Sequence, residues 1–156
     1  MKTLLTTIIT ALFISTSFIA TQKVAAMNAS VSDTTVVLTA NEKEKLFLTF
    51  EKGILFGMDS GIQGVMESTL FNALNYKIVY PEFSSEAVIE KLNEAALEAP
   101  THQLRFKAYL TLAYYKNQQE FVEPTELTDL LEVRDKDKIF FYLQNEVQSG
   151  QITSIN

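Results

Sequence analysis

Residues 101–117, THQLRFKAYLTLAYYKN, decide how this chain folds. Leu104, Phe106, Ala108, Tyr109, Leu110, Leu112, Ala113, Tyr114 and Tyr115 spread apolar surface nearly all the way round a helix. A helix of that kind lies between neighbours on several sides, so the segment predicts the central element of an all-α fold.

Reading outward toward the N-terminus, Pro100 separates this helix from an amphipathic one. Ser84 or Ser85 can cap it, Glu86 suits its positive N-terminal end, and Val88, Leu92, Ala95, Ala96 and Ala99 form its apolar stripe. Its other face, with Glu90, Lys91, Asn93, Glu94 and Glu98, reads as solvated. Further back, Met66, Leu70, Ala73, Leu74, Lys77 and Ile78 recur at three- and four-residue intervals and predict a helix from Ile62 to Val79, stopped by Pro81. The first helix is expected at Asn41, which stands three residues before Glu44 in a capping-box arrangement. Leu46, Phe47, Phe50, Ile54 and Leu55 continue it, and Asp59-Ser60-Gly61 is turn chemistry. Beyond Pro124, Glu126–Leu131 reads as a short helix. Asp135 is positioned to cap a last one through Ile139, Phe140, Leu143 and Val147.

Sliding the chain against itself by 38 residues sets Met66 over Leu104, Glu67 over Arg105, Leu70 over Ala108, Leu74 over Leu112 and Tyr76 over Tyr114. Each copy reads as a long helix, a short break and a second amphipathic helix, the layout of a helical-hairpin repeat. The segment LRFKAYLTLAYY, with Leu104, Arg105, Ala108 and Leu112, resembles the first helix of a HEAT-type repeat, and AVIEKLNEAALEAP is similar to the second helix of one. That resemblance implies helical hairpins stacked as a short right-handed array or compact bundle, with the first and last helices closing the ends, and a surface that binds proteins. Glu67 stands where the pattern has Arg, and Thr111 where it has a small apolar residue.

The first 26 residues have the three parts of a secretory signal peptide. Lys2 is the basic start, Leu4–Ala20 the apolar stretch, and Val24-Ala25-Ala26 the small residues of a cleavage site. Six Thr or Ser side chains dilute the apolar stretch, so a cleaved leader is expected rather than a membrane anchor. With no cysteine, lipid attachment at a first mature residue, disulfides and thiolate chemistry are all excluded. The expected organisation is a signal peptide over 1–26, a flexible lead-in over 27–40, a single helical domain over 41–150 and a frayed tail over 151–156. Removing Lys2 and Lys23 leaves 11 basic against 19 acidic residues, a net charge of −8. Such a surface repels phosphate backbones, so nucleic acid is not an expected partner.

The sequence offers little for catalysis. His102 is the only histidine, and it has no partner at a metal-ligand or catalytic spacing. Asp59, Glu67, Asp135 and Asp137 fall at turns and helix starts, where helix capping accounts for them better than calcium binding does. Phosphate-loop, GxSxG and SxxK motifs are missing, so neither catalytic residues nor a cofactor or metal site is expected. Four rings of the central helix, Phe106, Tyr109, Tyr114 and Tyr115, are the candidate partner-binding residues. Most must enter the core, and any left exposed would anchor a partner. Arg105 is expected to pair with Glu67 or a glutamate of the preceding helix. The reading is therefore a non-enzymatic interaction or scaffold module of a bacterial envelope or the medium, with an apolar ligand held between hairpins as the alternative.

Overall fold

The computed structural model describes residues 38–132 and 134–150. The expected leader, most of the lead-in and the tail lie outside them. Six α-helices follow in order: α1 Ala40–Met58, α2 Gln63–Val79, α3 Glu86–Glu98, α4 His102–Asn117, α5 Pro124–Leu127 and α6 Asp137–Gln148. Two short 3-10 turns, Gln118–Glu120 and Thr128–Leu130, flank α5. The described residues contain no strand, only an isolated bridge between Glu132 and Asp135, so the fold is all-α.

The capping box of α1 sits two residues earlier than the sequence reading placed it. The Glu42 backbone N–H donates to Thr39 Oγ1 at 3.3 Å, and the Thr39 N–H donates to Glu42 Oε2 at 2.9 Å. Thr39-x-x-Glu42 has the same spacing as Asn41-x-x-Glu44, and the earlier pair gives the helix its extra N-terminal residues. Ser85 caps α3 as expected, accepting from the Val88 N–H at 3.2 Å, and its own hydroxyl donates to Glu51 of α1. Asp135 does not cap α6. Its backbone is drawn into a turn with Glu132, and Lys136 occupies the N-cap position without a side-chain bond.

Pairing of the helices also corrects the sequence reading. The hairpin partner of α2 is α1, not α3, and that of α4 is α3. Alongside these pairs α1 touches α3 and α2 touches α4, so two hairpins lie side by side with like helices adjacent. The 38-residue offset thus relates the second helices of two hairpins, and α1 is a hairpin member rather than an end cap. Gly61, at φ +66°, makes the reversal between α1 and α2. α6 packs on α4 and α5 on α2, closing the other side.

Burial follows this placement. In α2 Met66, Leu70, Phe71, Ala73, Leu74 and Ile78 are all buried, so α2 shares the centre with α4. A cluster of rings closes the space above them. Phe50 stacks on Tyr76 at 3.9 Å between centroids, and Phe47, Tyr80 and Phe83 surround the pair.

Candidate functional site

Helix α4 keeps one exposed edge. Thr101 caps it by accepting from the Leu104 N–H at 3.2 Å, and from there His102, Phe106 and Tyr109 follow at helical spacing along the exposed side. Phe106 is 36% and Tyr109 38% exposed. His102 lies exposed at the start of α4.

Tyr114 and Tyr115 do not belong to that edge, which corrects half of the candidate set. Tyr114 is wholly buried against Phe121, ring centroids 5.0 Å apart. Burial pushes its phenol up to about 12, with Tyr142 adding to the rise. Tyr115 lies between α4 and α2, its hydroxyl donating to the Ala73 carbonyl oxygen at 2.9 Å, and burial raises its phenol further still.

Exposed apolar side chains that the sequence reading passed over extend the surface. Leu97 of α3 is 70% exposed, two residues before the turn that leads into α4. It sits within a glutamate-rich face, which hid it in the pattern. Phe56, Ile62 and Phe141 are likewise exposed elsewhere on the molecule.

The buried charges hold helices together. Lys107 of α4 lies between Glu67 of α2 and Asp137 of α6, donating to each at 2.5 Å, with its ammonium 5.1 Å from the Phe140 ring centroid. Burial works against its charge, but the hydrogen bonds to Asp137 and Glu67 outweigh that and the ammonium is raised. Arg105, expected to pair with Glu67 or a glutamate of α3, instead donates to the Ala99 carbonyl oxygen at 2.8 Å. Lys77 of α2 donates to the carbonyls of Pro81 and Phe83 at 2.6 and 2.9 Å, pinning the loop that leads to α3. Burial lowers its ammonium, and Glu82 offsets this in part. Glu67, Asp137 and Asp59 thus serve ion pairs rather than the helix caps the sequence suggested.

Two open grooves lie at the surface of the described residues. One, about 270 Å³, lies where the α1–α2 and α3–α4 turns meet; Met58, Met66, Ala95 and Ala99 line it together with Asp59, Lys91, Glu94 and Glu98. Lys91 donates to Asp59 and Glu94, which raise its ammonium. The other, about 440 Å³, runs along Gln118–Pro124 beside Pro81. Among the described residues no three His, Asp or Glu side chains come together as metal ligands, and no helix is long and apolar enough to cross a membrane. No family model, curated protein or solved structure matches the chain.

Proposed function

We propose that this chain is a non-enzymatic protein-binding module, exported to a bacterial envelope or the medium, that docks its partner through the exposed apolar edge of the α3–α4 hairpin. One observation carries the reading: Leu97, Phe106 and Tyr109 stand exposed within thirteen residues on either side of a single turn. Aromatic and aliphatic side chains on a rigid helical frame cost little entropy to immobilise and supply anchors for a partner. Side-by-side hairpins support it further, because such stacks present ridged surfaces to other proteins. The apolar leader, Lys2 and the small residues Val24-Ala25-Ala26 support export.

Crosslinking of the tagged protein in cells, followed by mass spectrometry, tests this. Leu97→Ala, Phe106→Ala and Tyr109→Ala together should lower capture of a dominant partner by about tenfold or more, as loss of interface anchors does. Lys116→Ala, on the same helix but polar, should leave capture unchanged. Equal capture by the triple variant would refute the docking edge.

A further inference from the structure

The groove between the two turns combines three features. Its floor is apolar and adaptable, since Met58 and Met66 are flexible thioether side chains that repack around different shapes. Exposed apolar residues stand next in sequence to its lining: Ile62, 62% exposed, follows Gly61, and Leu97 precedes Glu98. Its charge is one-sided, with Asp59, Glu94 and Glu98 against the single ammonium of Lys91.

That charge continues along α3. Glu86, Glu90, Glu94 and Glu98 recur every four residues, all exposed, and form one acidic row over the length of the helix. Two costs attach to this row. Like charges four residues apart on a helix repel and weaken it. Glu98 also stands in the last turn of α3, where the helix dipole favours cations and no basic residue is present. Lys91 pairs with Asp59 and, within the row, with Glu94 alone, and Glu98 has no ion-pair partner among the described residues. A row that weakens its own helix is relieved when cations are laid along it.

We infer that the groove and the acidic row of α3 seat a basic amphipathic helix of the partner protein, its apolar face on Met58, Met66 and Ile62 and its lysines or arginines along Glu90, Glu94 and Glu98. The inference rests on the protein-binding reading above and names the chemistry of the partner. An anionic lipid surface presents the wrong sign to this row, and an acidic peptide does too.

The test uses an 18-residue helical peptide of leucine and lysine with the two residue types on opposite faces. Two control peptides accompany it: one of the same composition with the faces scrambled, and one with glutamate in place of lysine. The amphipathic basic peptide should bind, shift the methyl resonances of Met58 and Met66, and lose tenfold or more in affinity to Glu94→Gln/Glu98→Gln. Both residues are exposed, and the Lys91–Glu94 pair lost in the variant lies at the surface, where such pairs add little, so circular dichroism should show the fold intact. Absence of binding, equal binding of the scrambled peptide, unmoved methionine methyls, preference for anionic vesicles, or indifference to Glu94→Gln/Glu98→Gln would each overturn the inference. Failure here remains distinct from failure of the docking edge. A partner captured from cells that is lost with Leu97→Ala/Phe106→Ala/Tyr109→Ala but insensitive to Glu94→Gln/Glu98→Gln leaves the protein-binding reading in place.

Discussion

Tyr114 and Tyr115 are neighbours in α4, yet only the Tyr115 hydroxyl has a hydrogen-bond acceptor; that of Tyr114 is buried without one among the described residues. Their removal should therefore differ at neutral pH. Tyr115→Phe loses a buried hydrogen bond and should cost about 1 kcal/mol, whereas Tyr114→Phe removes an unsatisfied group and should be neutral or slightly stabilising. Alkaline pH acts on both in the same direction. A phenol raised in the fold contributes its stability fully below its ordinary value of 10, and for Tyr114 that contribution drains as pH climbs from 10 toward about 12. Above pH 10 the unfolded chain binds fewer protons than the folded one, so stability falls as pH rises. Urea titrations at pH 8 and pH 11 should show a smaller drop for either Phe variant than for the unaltered protein; an equal drop would mean the phenols are not held protonated. Lys107 offers a second contrast. Lys107→Ala strips both the charge and the stem packed on Phe140, and should cost about 2–3 kcal/mol, at or below the usual range for breaking a buried pair because Glu67 and Asp137 are partly exposed. Lys107→Met keeps the stem, lets the carboxylates hydrate, and should cost less than half as much by the same urea measurement.

At the scale of the elements, the approach of α1 to α2 is set by one glycine. A Cβ at Gly57 would fall 2.1 Å from Thr69 Oγ1 and 3.1 Å from Thr69 Cβ, whereas one at Gly53 meets nothing within 4 Å. The same substitution should thus have opposite signs one turn apart. Gly53→Ala should stabilise by about 0.5–1 kcal/mol through helix propensity, and Gly57→Ala should destabilise by about 1–3 kcal/mol through overpacking. Adding Thr69→Ala to Gly57→Ala should recover part of the loss, a coupling that additive behaviour would contradict. Helix existence was legible in the chain because periodicity and Pro81, Pro100 and Pro124 mark it locally. Which helices pair was not, because α2 and α4 are apolar on several sides and their stripes fit more than one neighbour. Caps were half legible: Ser84 and Ser85 both fitted the start of α3, Thr39 and Asn41 offered overlapping boxes at α1, and only the tertiary start of each helix chose between them. The candidate site divided in the same way. All-round apolarity located Phe106, Tyr109, Tyr114 and Tyr115 on a central helix, but which two stay exposed depends on where α2, α3 and α6 lie. Leu97 was invisible because a single leucine among glutamates changes no periodicity.

For the whole molecule, two hairpins alone leave one side of α4 open, and α6 covers it with Ile139, Phe140 and Leu143. Each of these side chains is worth about 1.5–3 kcal/mol when buried, so together they rival the 5–15 kcal/mol, in round numbers, that holds a typical domain folded. A chain ending at Arg134 should keep much of its helical circular dichroism but lose cooperative melting and slow amide exchange; a sharp melt would show that the hairpins close on themselves. Lys77 and Lys107 are the only charged side chains buried among the described residues, and their burial has a practical consequence. An amine-acylating reagent needs access to a free nitrogen lone pair, which both lysines deny by burial and Lys107 further by the ion pairs that hold its ammonium. Exhaustive labelling should therefore mark the surface lysines and spare these two in every folded molecule. Mass spectrometry of the unlabelled pair then becomes a head count of intact chains in a mixture, read without ligand, antibody or activity.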